Sequence, residues 1–200
     1  MTTSKTRQTS ETSPIPSSSS SRLEANLSAL GPQNHAAADA IRSSADLPIE
    51  LETAEDGRLT GVWQGRRLAS ARRPGEETAR LIGGIDYRES ACIVVAGFGL
   101  GDHVEMIARR LGRTGVLLVL ETDTALLKAV MSRFDLTDWF NRSRILLRVD
   151  ENDAAGLALG LRGFESILML GTSIIEHPPS RNRLSDATAV FTRSLVDITA

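Results

Sequence analysis

The most regular pattern in the chain lies beyond residue 91, where short apolar runs alternate with longer amphipathic ones. Ile93–Ala96, Val116–Leu120, Ile145–Val149 and Ser166–Leu170 predict strands; Asp102–Leu111, Thr124–Arg133, Asp153–Leu161 and Leu184–Val196 predict helices. Strands that are apolar at nearly every position are covered on both faces. The pattern therefore predicts an α/β fold, a Rossmann-like parallel sheet of about four strands with helices on both faces and right-handed crossovers. So small a sheet is expected to leave an edge exposed. The last helical pattern also runs to Val196-Asp197-Ile198-Thr199-Ala200 with no capping glycine or proline. Both features predict that the unit 91–200 continues into a further domain.

The pattern changes upstream. Ile49-Glu50-Leu51-Glu52-Thr53 and Leu59 to Trp63 alternate apolar and polar positions around Glu55-Asp56-Gly57, which predicts a β-hairpin, with a third strand at Arg67–Ser70. Pro74 opens a helix over Gly75–Ile82, with Glu76 and Glu77 in its first turn where the helix dipole favours them. Residues 47–90 thus form a hairpin and a helix. Residues 23–46 carry Leu23, Leu27 and Leu30, then Ala36, Ala40 and Ile41 beyond Gly31-Pro32, a helical lead-in in two pieces. Residues 1–22 are rich in Ser and Thr, are broken by Pro14 and Pro16, and bury too little to repay ordering, so a disordered tail is expected there.

Composition narrows the function classes. With 200 residues, 41% of them hydrophobic, and a net charge of −2, the chain can bury a core but has no global field to recruit nucleic acid or an acidic membrane. Lys5 and Lys128 are the only lysines, so arginine carries nearly all the basic charge. Arg66, Arg67, Arg72 and Arg73 read as a solvated face. The single cysteine, Cys92, excludes an internal disulfide and opens an apolar run, where it fills core. No run approaches the ~18 apolar residues of a membrane span, and the N-terminus has no apolar signal core; a cytoplasmic location is expected. His35, His103 and His177 lack metal-ligand spacing, so no metal site is expected. Asp135 and Asp138 read as caps for a short helix anchored by Trp139 and Phe140.

The most informative stretch is Val94-Val95-Ala96-Gly97-Phe98-Gly99-Leu100-Gly101-Asp102-His103. A buried strand runs into glycine at every second position, and a helix starts at once. Glycines there permit a tight turn and let backbone approach a ligand, and the helix start offers free N–H groups. Glu121 ends the next strand 24 positions after Gly97, close to the ~20-residue spacing at which an acidic side chain meets a ribose diol. Gly97, Gly99, Gly101, Asp102, His103 and Glu121 are therefore the candidate ligand-binding residues. No catalytic residue can be assigned. The third glycine of a dinucleotide motif would fall at Asp102, whose charge repels pyrophosphate, so NAD fits poorly. The turn resembles that of S-adenosylmethionine-dependent methyltransferases, although Val95 stands where that group has an acid.

Taken together, these residues resemble the N-terminal portion of the bacterial motility-associated factor (Maf) proteins, which are flagellin glycosyltransferases. The resemblance lies in Leu68-Ala69-Ser70-Ala71-Arg72-Arg73-Pro74-Gly75-Glu76-Glu77-Thr78-Ala79-Arg80, in Val95 to His103, in Val119-Leu120-Glu121-Thr122-Asp123, and in Phe134-Asp135-Leu136 and His177-Pro178. It spans roughly residues 47–195, with Thr78 as a minor departure from the family's alanine. The family resemblance implies transfer of a nucleotide-activated nonulosonic acid to Ser/Thr hydroxyls of flagellin. That chemistry is attributed in the family to a following domain, which nothing here matches. It implies a non-catalytic front piece whose partners are flagellin and that domain. Two other readings stay open: a methyltransferase-like enzyme using S-adenosylmethionine, and a ligand-free interaction module in which Glu121→Ala is nearly neutral. A nucleotide sugar or S-adenosylmethionine are the candidate cofactors.

Overall fold

The structure, a computed structural model, describes residues 19–199. The lead-in forms α1 (Ser19–Ala29) and α2 (His35–Ser43), joined by a 3-10 turn at Pro32–Asn34. The expected disordered tail lies outside the described residues up to 18, and its last four residues begin α1. An antiparallel sheet follows, β1 (Glu50–Thr53), β2 (Leu59–Trp63) and the two-residue β3 (Arg66–Arg67), paired in that order. The third strand is shorter than expected and starts one residue earlier. Next comes α3 (Pro74–Gly83), led by proline and two glutamates.

The remainder is β4 (Cys92–Ala96), α4 (Asp102–Leu111), β5 (Val116–Leu120), α5 (Thr124–Arg133), α6 (Thr137–Arg142), β6 (Ile145–Arg148), α7 (Ala154–Leu161), α8 (Glu165–Leu168), β7 (Thr172–Glu176) and α9 (Arg181–Thr199). The four strands form a parallel sheet in the order β6-β5-β4-β7. Strand alternation splits the core in two. Ile93, Val95, Leu117, Val119, Ile145 and Leu147 face a cluster built with α1, α2, α4, α5 and Trp63. Cys92, Val94, Val116, Leu118, Leu120 and Leu146 face a smaller cluster with Leu157 and Leu161 of α7 and Phe191 and Leu195 of α9. Cys92 is core, as expected; burial pushes its thiol up to about 11, against a hydrogen bond with Thr172.

Two expectations need correction. The apolar run Ser166–Leu170 is not a strand. It holds the one-turn α8, with Ile167 and Leu168 against the second core cluster, and the fourth strand starts after Gly171. Gly171 has φ +103° and its backbone lies so close to the Glu89 carbonyl that a Cβ has no room. Since β7 pairs only with β4 and is half exposed, it needs no continuous apolar run.

The outer edge of β6 is not left open. The Asn34 side chain donates to Ile145 O (2.9 Å) and accepts from Leu147 N (2.7 Å), standing in for a neighbouring strand. Arg148 donates to Leu147 O (3.1 Å). Asn26, fully buried on α1, does the same at the end of α5, donating to Met131 O and Phe134 O and accepting from Leu136 N. These two amides weld the lead-in helices to the sheet unit. The hairpin is tied in by Trp63, whose indole N–H donates to Asp123 (2.7 Å), the N-cap of α5. Before α6, Asp135 accepts from Thr137 N and Thr137 Oγ1, while Asp138 pairs with Arg109 and Arg142.

Candidate functional site at the glycine turn

After β4 the chain passes to α4 on one face of the sheet, and after β7 it passes to α9 on the other. Such divergence opens a crevice between the two strand ends, the usual ligand position in an open α/β sheet. The glycine turn lies at one wall of that crevice. Gly97, Gly99 and Gly101 have φ of +104°, +54° and +96°, which side chains other than glycine rarely adopt. The local sequence thus fixes a sharp turn, with Phe98 buried beneath it.

The other wall is the segment from His177 to Arg183, and it fills the space. His177 N–H donates to Ala96 O (2.8 Å), so the segment continues the pairing past the end of β7. A Cβ on Gly97 would stand 2.5 Å from the Ser180 Cβ, and one on Gly99 would stand 2.7 Å from His177 Cε1. The close backbone approach that glycine permits is therefore taken up by the chain's own side chains. A cavity of about 10 Å³ remains beside Leu100, His103 and His177, roughly room for one water.

The six expected ligand residues are brought to one place, but the side chains of His103 and Glu121 are already engaged. His103 is buried, and its Nε2 donates to Gly97 O (2.9 Å), holding the turn from below. Its ring stacks on His177 with centroids 4.4 Å apart and planes at 7°. Burial lowers the His103 pKa to about 4, partly opposed by the Gly97 bond. The His177 pKa is also held down, first by burial, then by His103 whenever that ring is protonated and by the charge of Arg183, with the Leu68 backbone acting the other way. His177 Nδ1 pairs with Ser180 Oγ at 2.9 Å. Both imidazoles are thus neutral at pH 7.

Glu121 is fully buried and accepts from Phe98 N (3.1 Å), Asp123 N (3.0 Å), and both Nη atoms of Arg183 (2.7 and 2.8 Å). With four bonds accepted it has no lone pair left for a ribose diol. Arg183 in turn is held above its usual pKa: burial lowers it, but the bond and charge of Glu121, with Asp123, outweigh that. Asp102 borders the small cavity beside His103 and His177 and also a hollow of about 340 Å³ shared with Leu100, Gly101, Arg58, Glu105 and Asp135.

Arg183 and Ser180 are the residues the sequence did not single out. Their positions follow His177-Pro178-Pro179, but with the fourth strand expected six residues early there was no reason to aim them at the turn. Among the described residues no group of His, Cys, Asp and Glu is arranged to hold a metal ion, and no helix is long and apolar enough to cross a membrane. Of the polar side chains at the turn, His103, His177 and Glu121 are buried and bonded within the chain, while Asp102 faces the hollow beside Leu100 and Gly101.

The sequence matches no protein-family model and no curated protein. Among solved structures, the fold is similar to that of the MAf glycosyltransferase from Magnetospirillum magneticum AMB-1, with a TM-score of 0.58 and 16% identity. The match covers 90% of this chain and 35% of that one, so this chain spans about a third of that protein's length. The arrangement described above, from the lead-in helices to α9, is therefore a fold shared with part of a Maf glycosyltransferase.

Proposed function

We propose that this chain is the N-terminal, non-catalytic part of a Maf-type protein glycosyltransferase, one that modifies Ser/Thr hydroxyls of flagellin with nonulosonic acid sugars. The observation that carries the non-catalytic role is the crevice between β4 and β7. His177 and Ser180 occupy it, and Arg183 neutralises the acidic strand tip from within the chain. The likeness in fold to a glycosyltransferase over nine tenths of the chain supports the family, as does the order of motifs from Leu68 to His177. The unit then serves as a rigid support in the cytoplasm, presenting flagellin to a following glycosyltransferase domain. The glycine turn is a joint that lets β4, β7 and α9 close on one another.

The test is a transfer assay with a nucleotide-activated nonulosonic acid and flagellin, with and without a Maf catalytic domain fused after residue 200. This chain alone is expected to give neither sugar transfer nor donor hydrolysis, and the fusion to restore transfer. Turnover by the unfused chain would overturn the non-catalytic role. S-adenosylmethionine, which carries no phosphate, is expected to give no heat in calorimetry; saturable binding would favour a methyltransferase-like enzyme instead.

A further inference from the structure

A hollow of about 630 Å³ lies away from the glycine turn, beside β6 between the start of α2 and α7. That is within the size range of small-molecule sites. Arg113, Arg144, Arg148 and Arg162 all line it, against one carboxylate, Asp153. Asp153 is committed elsewhere, accepting from Gly156 N as the N-cap of α7. Among the described residues none of the four arginines forms an ion pair within 4 Å. Elsewhere on this surface arginines do pair, as at Arg42, Arg67, Arg109 and Arg142. Others, such as Arg66 and Arg80, do not, so what distinguishes the groove is that four arginines line one hollow.

Arg148 is the anchor. It is 7% exposed, and its guanidinium donates to Leu147 O and to Gly156 O (3.2 Å), while its Nε is buried with no partner. Gly160, in the last turn of α7, lies against this guanidinium, and a Cβ there would collide with Nη2. Burial lowers the pKa of Arg148, offset only in part by the charge of Asp153. A buried charge without a counterion is unfavourable until an anion meets it. Arg144 is oriented too, with its guanidinium 5.7 Å from the centroid of the Phe164 ring, a cation–π geometry.

From these observations we infer that the groove binds a small organic phosphate of nucleoside diphosphate size, its phosphoryl oxygens on the arginines and its uncharged part against Phe164 and the apolar wall of β6. Planar guanidinium forks match phosphoryl oxygens, and several together favour a ligand with more than one negative charge. The inference does not depend on the role given above to the glycine turn.

Calorimetric titration of the full chain with ADP, pyrophosphate and adenosine tests it. ADP is expected to bind saturably, pyrophosphate more weakly, and adenosine not at all, with ADP affinity falling as salt rises. The double variant Arg144→Gln/Arg162→Gln changes one half-exposed and one exposed side chain, and its melting temperature checks that it folds. It should lose affinity for ADP by at least about tenfold. Arg148→Gln should abolish binding, but it also removes a tie between β6 and α7, so the surface pair decides. Absence of ADP binding, equal binding of adenosine, or unchanged affinity in the folded double variant would each overturn the inference. Binding of an acidic peptide in place of ADP would overturn it as well, since the groove would then be a protein-docking surface.

Discussion

Gly97 and Gly99 stand where positive φ and the approach of Ser180 and His177 coincide. Gly97→Ala adds backbone strain to a clash, so it should cost about 3 kcal/mol or more of unfolding free energy, read from urea denaturation. Loss of less than 1 kcal/mol would mean that the wall yields easily, roughly the level of an ordinary surface change. Glu121→Gln leaves Arg183 beside an uncharged amide and should cost about 3–5 kcal/mol, the range for breaking one side of a buried pair. The expectation that a ligand-free unit would tolerate Glu121→Ala is corrected by the same geometry: full burial and four accepted bonds make that carboxylate structural. The histidine pair adds a pH dependence. The folded pKa of His103, about 4, lies below its ordinary 6.5, so the unfolded chain binds more protons between those values. Stability is fully present above pH 6.5 and falls as pH drops towards 4, by up to about 3 kcal/mol from this residue. His103→Gln retains a donor for Gly97 O and should flatten that part of the stability–pH curve; an unchanged slope would mean that His103 is not neutral and buried.

Among the elements, the lead-in helices are less separable than their weak periodicity suggests. Asn26 and Asn34 each satisfy buried backbone groups more than a hundred residues away. Asn34→Ala would leave Ile145 O and Leu147 N unpaired at the β6 edge and should destabilise by about 2–3 kcal/mol; hydrogen exchange at the Leu147 amide should rise with it. No change in protection there would mean that another group covers the edge. What was legible in the sequence follows physical rules. β4 and β5 are buried on both faces, so their runs are apolar at every position, and the hairpin alternates around a turn of Glu55-Asp56-Gly57. β7 was misplaced because an edge strand needs no such run, and the apolar residues just before it serve the one-turn α8 instead. Asparagine bonds to distant backbone leave no periodic trace at all. The glycine turn was visible in the sequence; Arg183 and Ser180, which fill it, became visible only once β7 was in place.

For the whole molecule, the two core clusters on either side of the sheet, the welded lead-in and the closed crevice describe a rigid unit with its usual binding position occupied from within. The fold is shared with part of a glycosyltransferase at 16% identity, and in this chain the crevice between β4 and β7 is filled. A ligand-binding descendant of the same turn would need room where Ser180 and His177 now stand. The arginine groove at the opposite edge is a separate surface, so binding there and closure here can be told apart residue by residue. The amide resonances of Gly97, Phe98, Gly99 and Gly101 report directly on the turn, and they can be followed by two-dimensional NMR while S-adenosylmethionine or a nucleotide-activated nonulosonic acid is titrated in. Closure predicts no saturable shift at these four amides and slow hydrogen exchange at Phe98, whose N–H is bonded to Glu121. Saturable shifts at all four, with loss of the Phe98 protection, would contradict it.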